Sequence, residues 1–350
     1  MKQIQKLLMI VLLGVTLGFS QEINRYGTTT ASFLEIGIGS AASAMGEAYV
    51  GVANDLSSIY WNPAGLASIK QSEALFVIQP WVIDINTFFA GAAVHVSSIG
   101  TLAFGLTQVD YGEMEVTTLE HQDGTGEKFT ANDLAASLSF ARELVPWFSF
   151  GISAKLIHSN IWRSNANAFA LDLGVIVNTH FFSVTDEKKD GMTIGMSISN
   201  YGTRMRYDGI DLLNPIDISL YESGNYGDVP GQFRTQAWEL PLLFRIGVAV
   251  KPIVSTNHKL IIAADALHPN NNMESVNVGA QYEMHIPGAG KFFLRGGYKA
   301  LFMKQTEYGV TFGGGIKLFF MSNHSITVDY AYKSMGILGN IHAYTVGMTF

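Results

Sequence analysis

Gly37-Ile38-Gly39-Ser40-Ala41-Ala42, followed by Asp55, has the spacing of a dinucleotide fingerprint, in which glycines admit a pyrophosphate at a helix N-terminus and an acid holds a ribose. That chemistry needs a buried strand before the glycines and βαβ units after them. The sequence pattern offers neither, so close packing explains these glycines better. Gly288-Ala289-Gly290-Lys291 has part of a phosphate loop, but His285 stands where the first glycine belongs and Phe292 where a Ser or Thr must hold magnesium. It reads as a turn. The nine histidines form no HExxH and no paired metal spacing. No serine, histidine and carboxylate converge by spacing, so no cofactor, metal or enzymatic reaction is expected.

A third set of residues is charged: Asp172, Arg245, Lys251, Asp265, Glu283, Arg295, Lys299, Lys317, Asp329 and Lys333. Each falls within a stretch in which apolar and small or polar residues alternate, and each lies on the small or polar side. Ile326, Val328, Tyr330 and Tyr332 alternate with Thr327, Asp329, Ala331 and Lys333; Leu242, Phe244, Ile246, Val248 and Val250 with Leu243, Arg245, Gly247, Ala249 and Lys251. The final segment sorts His342, Tyr344, Val346, Met348 and Phe350 from Ala343, Thr345, Gly347 and Thr349. Period-2 alternation is the mark of strands with two unlike faces.

Composition says what the apolar face meets. The chain is 48% hydrophobic and only 15% charged, with 36 glycines, against about 25% charged in ordinary domains. Something other than water must cover much of the surface. No stretch beyond the first twenty residues approaches eighteen continuous apolar positions, which excludes spanning helices. A closed β-barrel is the remaining way to cross lipid, because neighbouring strands satisfy every backbone group. A soluble β-sandwich or propeller would also alternate, but with more charge outside and shorter strands.

Alternating segments fall near 74–80, 86–96, 100–110, 131–142, 148–158, 165–178 and 190–200, then 241–252, 258–266, 274–285, 291–300, 308–320, 323–333 and 341–350. The expected fold is therefore all-β, a fourteen-stranded antiparallel transmembrane barrel. An even count puts both ends of the barrel at the periplasmic side, with short turns there and longer loops outside. The connection 179–189 is the one inner turn that is too long, and 201–240 is the longest outer loop. Trp147, Phe148, Phe292, Phe293, Phe319 and Phe320 map to the inner rim, and Trp81, Tyr298 and Tyr332 to the outer.

Residues 1–20 carry Lys2 and Lys6, an apolar run and Gly18-Phe19-Ser20, the pattern of a secretory signal cut after Ser20. Cleavage moves the formal charge from −7 to −9, which argues against nucleic acid as a partner. With no cysteine in the chain, disulfides and thiolate metal sites are excluded, and an exported, unlipidated protein of the bacterial outer membrane is expected.

Residues 21–70 do not alternate. They read as a short extended piece (Phe33 to Ile36), a small-residue tract (Gly37 to Gly46) and a string containing Asn54, Asp55, Trp61, Asn62, Pro63, Ala64 and Gly65, in which Asn62-Pro63 and Gly65 mark tight turns. Placed before a barrel (residues 71–350) whose inner faces carry small residues, this piece reads as an inserted hatch, held by the inward charges. Those charges serve either structural pairing or a substrate path.

The run FLEIGIGSAASAMGEAYVGVANDLSSIYWNPAGLA, Phe33 to Ala67, strongly resembles the N-terminal signature of the PorV/PorQ family within the FadL-like group of barrels. ADALHPNNNMESVNVGAQYE from Ala264, LRGGYK from Leu294, GVTFGGGIK from Gly309 and VDYAYKSMGILGNIHAYTVGMTF from Val328 agree with it. The resemblance implies a fourteen-stranded barrel with an N-terminal plug containing the Asn-Pro-Ala turn. It implies one of two functions. PorV-like members serve type IX secretion, with secreted cargo and secretion-system subunits as partners; FadL-like members pass hydrophobic small molecules through a lateral opening.

Overall fold

The computed structural model describes residues 25–218, 221, 229–304, 306–320 and 324–350. The expected signal at 1–20 and the inner turn at 321–322 lie outside them. Fourteen long strands follow in order: β1 (Glu73–Pro80), β2 (Asn86–Val96), β3 (Gly100–Glu115), β4 (Lys128–Val145), β5 (Phe148–Ile161), β6 (Ser164–Asn178), β7 (Thr193–Gly202), β8 (Leu243–Val254), β9 (His258–Pro269), β10 (Ser275–Ile286), β11 (Gly290–Leu301), β12 (Val310–Phe320), β13 (His324–Ser334) and β14 (Asn340–Thr349). Each pairs antiparallel with its sequence neighbours, and β1 pairs with β14 from Glu73↔Thr349 to Ile78↔Tyr344. The ring is closed, so there is no open sandwich edge.

The two faces differ as lipid requires. Outward residues are large, apolar and exposed, such as Leu138 (61%), Leu156 (66%) and Val328 (53%), whereas Ser139, Asp172, Asn277 and Thr345 point inward and are buried. Among the described residues no helix is long and apolar enough to cross a membrane. Strands are the membrane-crossing elements, and the protein resides in the bacterial outer membrane.

Several strand boundaries differ from the sequence reading. β3 and β4 run on to Glu115 and from Lys128, beyond the alternating stretches, and Lys128 Nζ lies 3.1 Å from Glu113 Oε2 across them. This tip stands clear of lipid, both its faces meet water, and alternation has no cause there. β7 begins at Thr193 because Lys188–Asp190 form a 3-10 turn instead.

The ring encloses residues 31–69. Their path starts at the loop end, where Thr30 N–H donates to Glu239 O (3.0 Å) and Asn271 Nδ2 to Thr29 Oγ1 (2.9 Å). It finishes at the turn end, where Thr101 Oγ1 donates to Ile69 O (3.4 Å) and Lys70 approaches Glu143 (3.4 Å). Between them lie a 3-10 helix (Ser32–Glu35), two short α-helices (Ser40–Ala44, Ser58–Trp61) and a second 3-10 helix (Pro63–Ser68). The piece expected to be extended at Phe33–Ile36 is thus mostly helical. Leu34 N–H donates to Ala31 O (3.0 Å) and Ile36 N–H to Phe33 O (3.1 Å), the i to i−3 bonds of that helix.

Candidate functional site in the barrel lumen

The N-terminal segment meets the wall through polar anchors set in close-packed small residues. Glu47 is the centre of the largest. Lys299 Nζ on β11 lies 2.7 Å from Glu47 Oε2, and Lys333 Nζ on β13 lies 2.9 Å from Glu47 Oε1. Burial alone would push the Glu47 carboxyl up, but the two ammonium groups outweigh it and hold the group at about 2. The flanking rings complete the enclosure: Lys333 lies over Trp81 at 4.6 Å and Lys299 over Tyr308 at 3.9 Å.

Asp265 on β9 forms a second anchor, with no cation in contact among the described residues. One of its carboxylate oxygens accepts the backbone N–H of Tyr49 (2.7 Å) and of Val50 (2.8 Å). Thr311 forms a third, accepting from Gly46 N–H (2.8 Å) while its hydroxyl donates to Ala44 O (2.9 Å). Ser40 N–H, at the start of the first α-helix, donates to Thr345 Oγ1 (2.9 Å). The glycine run that imitates a cofactor motif therefore spends its free helix N–H on the wall. Gly46 sits in the left-handed region (φ 64°), and a Cβ there would lie 2.7 Å from Tyr298 N and Val278 O, so no other residue fits.

The Asn-Pro-Ala turn docks on the opposite wall. Asn62 is fully buried. Its amide donates to Val50 O and Val175 O, both at 3.0 Å, and its Oδ1 accepts from Ala64 N–H at 3.2 Å. That last bond caps the 3-10 helix entered through Pro63. A side chain at Gly174 would strike Asn62 Oδ1, which ties this turn to a bare stretch of β6. Trp61 donates from Nε1 to Ile38 O (2.8 Å), and the Arg245 guanidinium lies 5.5 Å from its ring. Asp55 accepts from Ser57 and Tyr49, while Asn54 and Gly65 line a polar cleft at the turn end.

The ten charges chosen from the sequence divide by depth. Asp265, Lys299 and Lys333 contact the N-terminal segment directly, and Arg245 stacks on it. Arg295 and Asp329 pair within the wall, with Gln281 Oε1 accepting from Arg295 Nε at 2.7 Å. Glu283 pairs with Lys291 (2.6 Å), Lys251 donates to the Lys189 carbonyl, and Lys317 is half-buried with no ion pair among the described residues. These last three lie near the turn end and do not touch the segment through any hydrogen bond. Asp172 is buried against Lys155 (2.6 Å), and Lys155 and Asp172 both bond Asn200, whose amide holds Pro241 O (3.0 Å) at the root of the long outer loop.

Sequence reasoning missed Lys155 and Glu47. Lys155 was available to the same alternation test, since it follows Ser153 on the inner side of β5. Glu47 had a different signal: it is the only charge between Ile36 and Asn54, and a lone acid in a stretch bound for burial requires a cation.

Residues 19–227 match the family described as type IX secretion system protein PorV, more than half of the chain. The chain belongs to the PorV family. Solved structures agree on architecture. The Pseudomonas putida toluene transporter TodX aligns with a TM-score of 0.55 at 11% identity, covering 93% of this chain and 98% of its own. The CymD monoaromatic hydrocarbon channel aligns at 0.54 and 10%, covering 90% and 98%. A Pseudomonas aeruginosa FadL homologue aligns at 0.51 and 11%, covering 89% and 98%. At such identities this PorV family member shares their fold, and nothing is carried over beyond it. No curated protein matches the sequence.

Proposed function

We propose that this PorV family protein is a non-enzymatic component of type IX protein export, with residues 21–70 acting as a hatch that fills the barrel and the outer mouth docking secreted cargo or partner subunits. The observation that carries this reading is the depth of the lumenal anchoring. Glu47, Asp265, Thr311 and Asn62 tie one segment to opposite walls, and that leaves the outer surface as the free part of the molecule. The long outer loop offers such a surface. Met205 and Trp238 bridge its base, Arg204 pairs with Glu239 (2.7 Å), and Ile210, Phe233 and Trp238 are exposed. The test is recovery of the intact protein from outer membranes in mild detergent, after brief crosslinking. Secreted substrates or secretion-system subunits should accompany it, and should be lost when 203–241 is replaced by a short turn. Recovery of neither class of protein from the unaltered chain sinks the reading.

A second reading is transport of small hydrophobic molecules, the activity of the toluene transporter TodX and the monoaromatic hydrocarbon channel CymD. One feature favours it: a small cleft between segment and wall, lined in part by Phe33, Leu34, Ile38, Ile59, Tyr60 and Phe89 and in part by the polar Thr107, Ser137 and Lys155. Liposome uptake of toluene or a long-chain fatty acid, faster with the protein than without, is its expected outcome. Equal uptake counts against it.

A further inference from the structure

The connection between β6 and β7 is the odd member of the turn end. It runs from Thr179 to Met192, where β4–β5 and β10–β11 turn in a few residues. Its own polar groups hold its shape. Thr179 N–H donates to Met192 O (3.0 Å), Met192 N–H to Phe181 O (2.7 Å), Ser183 Oγ to Glu187 O (2.9 Å) and Thr185 Oγ1 to Asp190 Oδ2 (2.9 Å). The apolar side chains take no part in that framework. Phe181 is 67% exposed, Phe182 75% and Val184 58%, and Phe182 sits at φ 57°, a conformation bulky residues rarely adopt.

Position in the fold says what covers these side chains. The outward series Leu173, Val175 and Val177 runs to the end of β6 at Asn178, and Phe181 follows three residues later, so the connection begins at the rim of a face that already meets hydrocarbon. The same connection brings the Lys188 ammonium 5.5 Å from the ring centre of the rim tryptophan Trp147, itself 44% exposed. Aromatic rings flanked by a cation are the composition of a lipid–water boundary, where rings settle among glycerol groups and ammonium groups reach phosphate.

We propose that Thr179–Met192 is an interfacial anchor that lays Phe181, Phe182 and Val184 into the inner-leaflet phospholipid surface. The inference is independent of cargo docking or transport, since it needs only the membrane-spanning ring. An anchor on one side of the rim fixes the depth and rotational setting of β5–β7, the strands that also carry the root of the long outer loop.

The chain contains no cysteine, so single labels can be placed without background. Phe182→Cys, Ile316→Cys on the lipid-facing wall and Asp186→Cys at the polar tip of the same connection each receive an environment-sensitive fluorophore. The full-length proteins are then reconstituted in phosphatidylcholine–phosphatidylglycerol nanodiscs with or without acyl-brominated lipid. Bromine should quench the label at 182 at least half as strongly as that at 316, and leave the label at 186 nearly unchanged. Folding of each variant is checked by the heat-dependent shift in gel mobility, and Val184→Cys replaces Phe182→Cys if the latter does not fold. A label at 182 or 184 no more quenched than that at 186 overturns the proposal, and assigns the patch to a protein partner or to water.

Discussion

Lys333, on the thirteenth strand of the barrel, donates to Glu47, which stands 286 residues earlier in the N-terminal segment. Lys299 reaches the other oxygen of the same carboxylate. The pair of lysines is buried around one acid, so the acid is the member whose removal leaves the most uncompensated charge. Glu47→Ala is expected to destabilise the packed segment by about 3–5 kcal/mol. Limited proteolysis of detergent-solubilised protein would read this as faster cleavage between residues 31 and 69, with the barrel fragment intact.

The same carboxylate sets a pH dependence. Its folded value, about 2, lies below its ordinary one, so its contribution is fully present above the unfolded value and is lost as pH falls through about 2. The share of the segment's protection that Glu47 supplies, read as the difference from Glu47→Gln, should therefore hold from pH 7 to pH 5 and decline between pH 4 and pH 2. In Glu47→Gln the protection should be lower throughout and this acid step absent, which hydrogen exchange followed by mass spectrometry can measure.

Asp265 accepts two backbone N–H groups with one oxygen. Asp265→Asn keeps the shape and removes the charge, and hydrogen bonds to charged groups contribute about 1.5–3 kcal/mol each. Exchange of the Tyr49 and Val50 amides should accelerate by at least tenfold. Unchanged exchange at both would show that the carboxylate is not their partner.

Asn62→Ala leaves the carbonyls of Val50 and Val175 without their donor and uncaps Ala64. Each unsatisfied buried group costs about 1–3 kcal/mol, and the expected readout is a lower melting temperature with the strand content unchanged by circular dichroism.

On the outside, Ile316→Lys puts an ammonium in contact with acyl chains, at a cost of about 2–4 kcal/mol near the midplane. Folded protein recovered from outer membranes should fall. The same change at Lys155's lumenal neighbour Ser153 should be harmful for a different reason, because Ser153 is fully buried and bonded to Ser139.

The barrel was legible because hydrocarbon imposes one rule on every strand: odd and even positions cannot be alike. That rule located all fourteen strands and departed from the structure at strand ends, most widely at Glu113–Lys128 and Lys188–Asp190. The lumenal contacts were harder to see. Residues 31–69 follow no period, since they pack on all sides, and their partners lie far away in sequence, in β5–β7 as well as in β9–β14. Asn62 and Pro63 stood out as turn formers, but the bond from Asn62 to Val175 depends on which strand of the ring the turn happens to face. Glu47 stood out as a lone acid, but which cations it meets is legible only once Lys299 and Lys333 are known as members of the wall.

The bare positions of the wall carry one more implication. Gly151, Gly174, Gly195, Gly279 and Gly297 all sit where an added methyl would collide with Pro63, Asn62, Val50 or Met45. The interior of this ring is a mould taken from a single casting, so its two parts can diverge only in step. A segment transplanted from a distant relative would meet protrusions where it needs hollows, and natural variation at residues 45–63 should be matched by compensating changes on β5, β6, β7, β10 and β11.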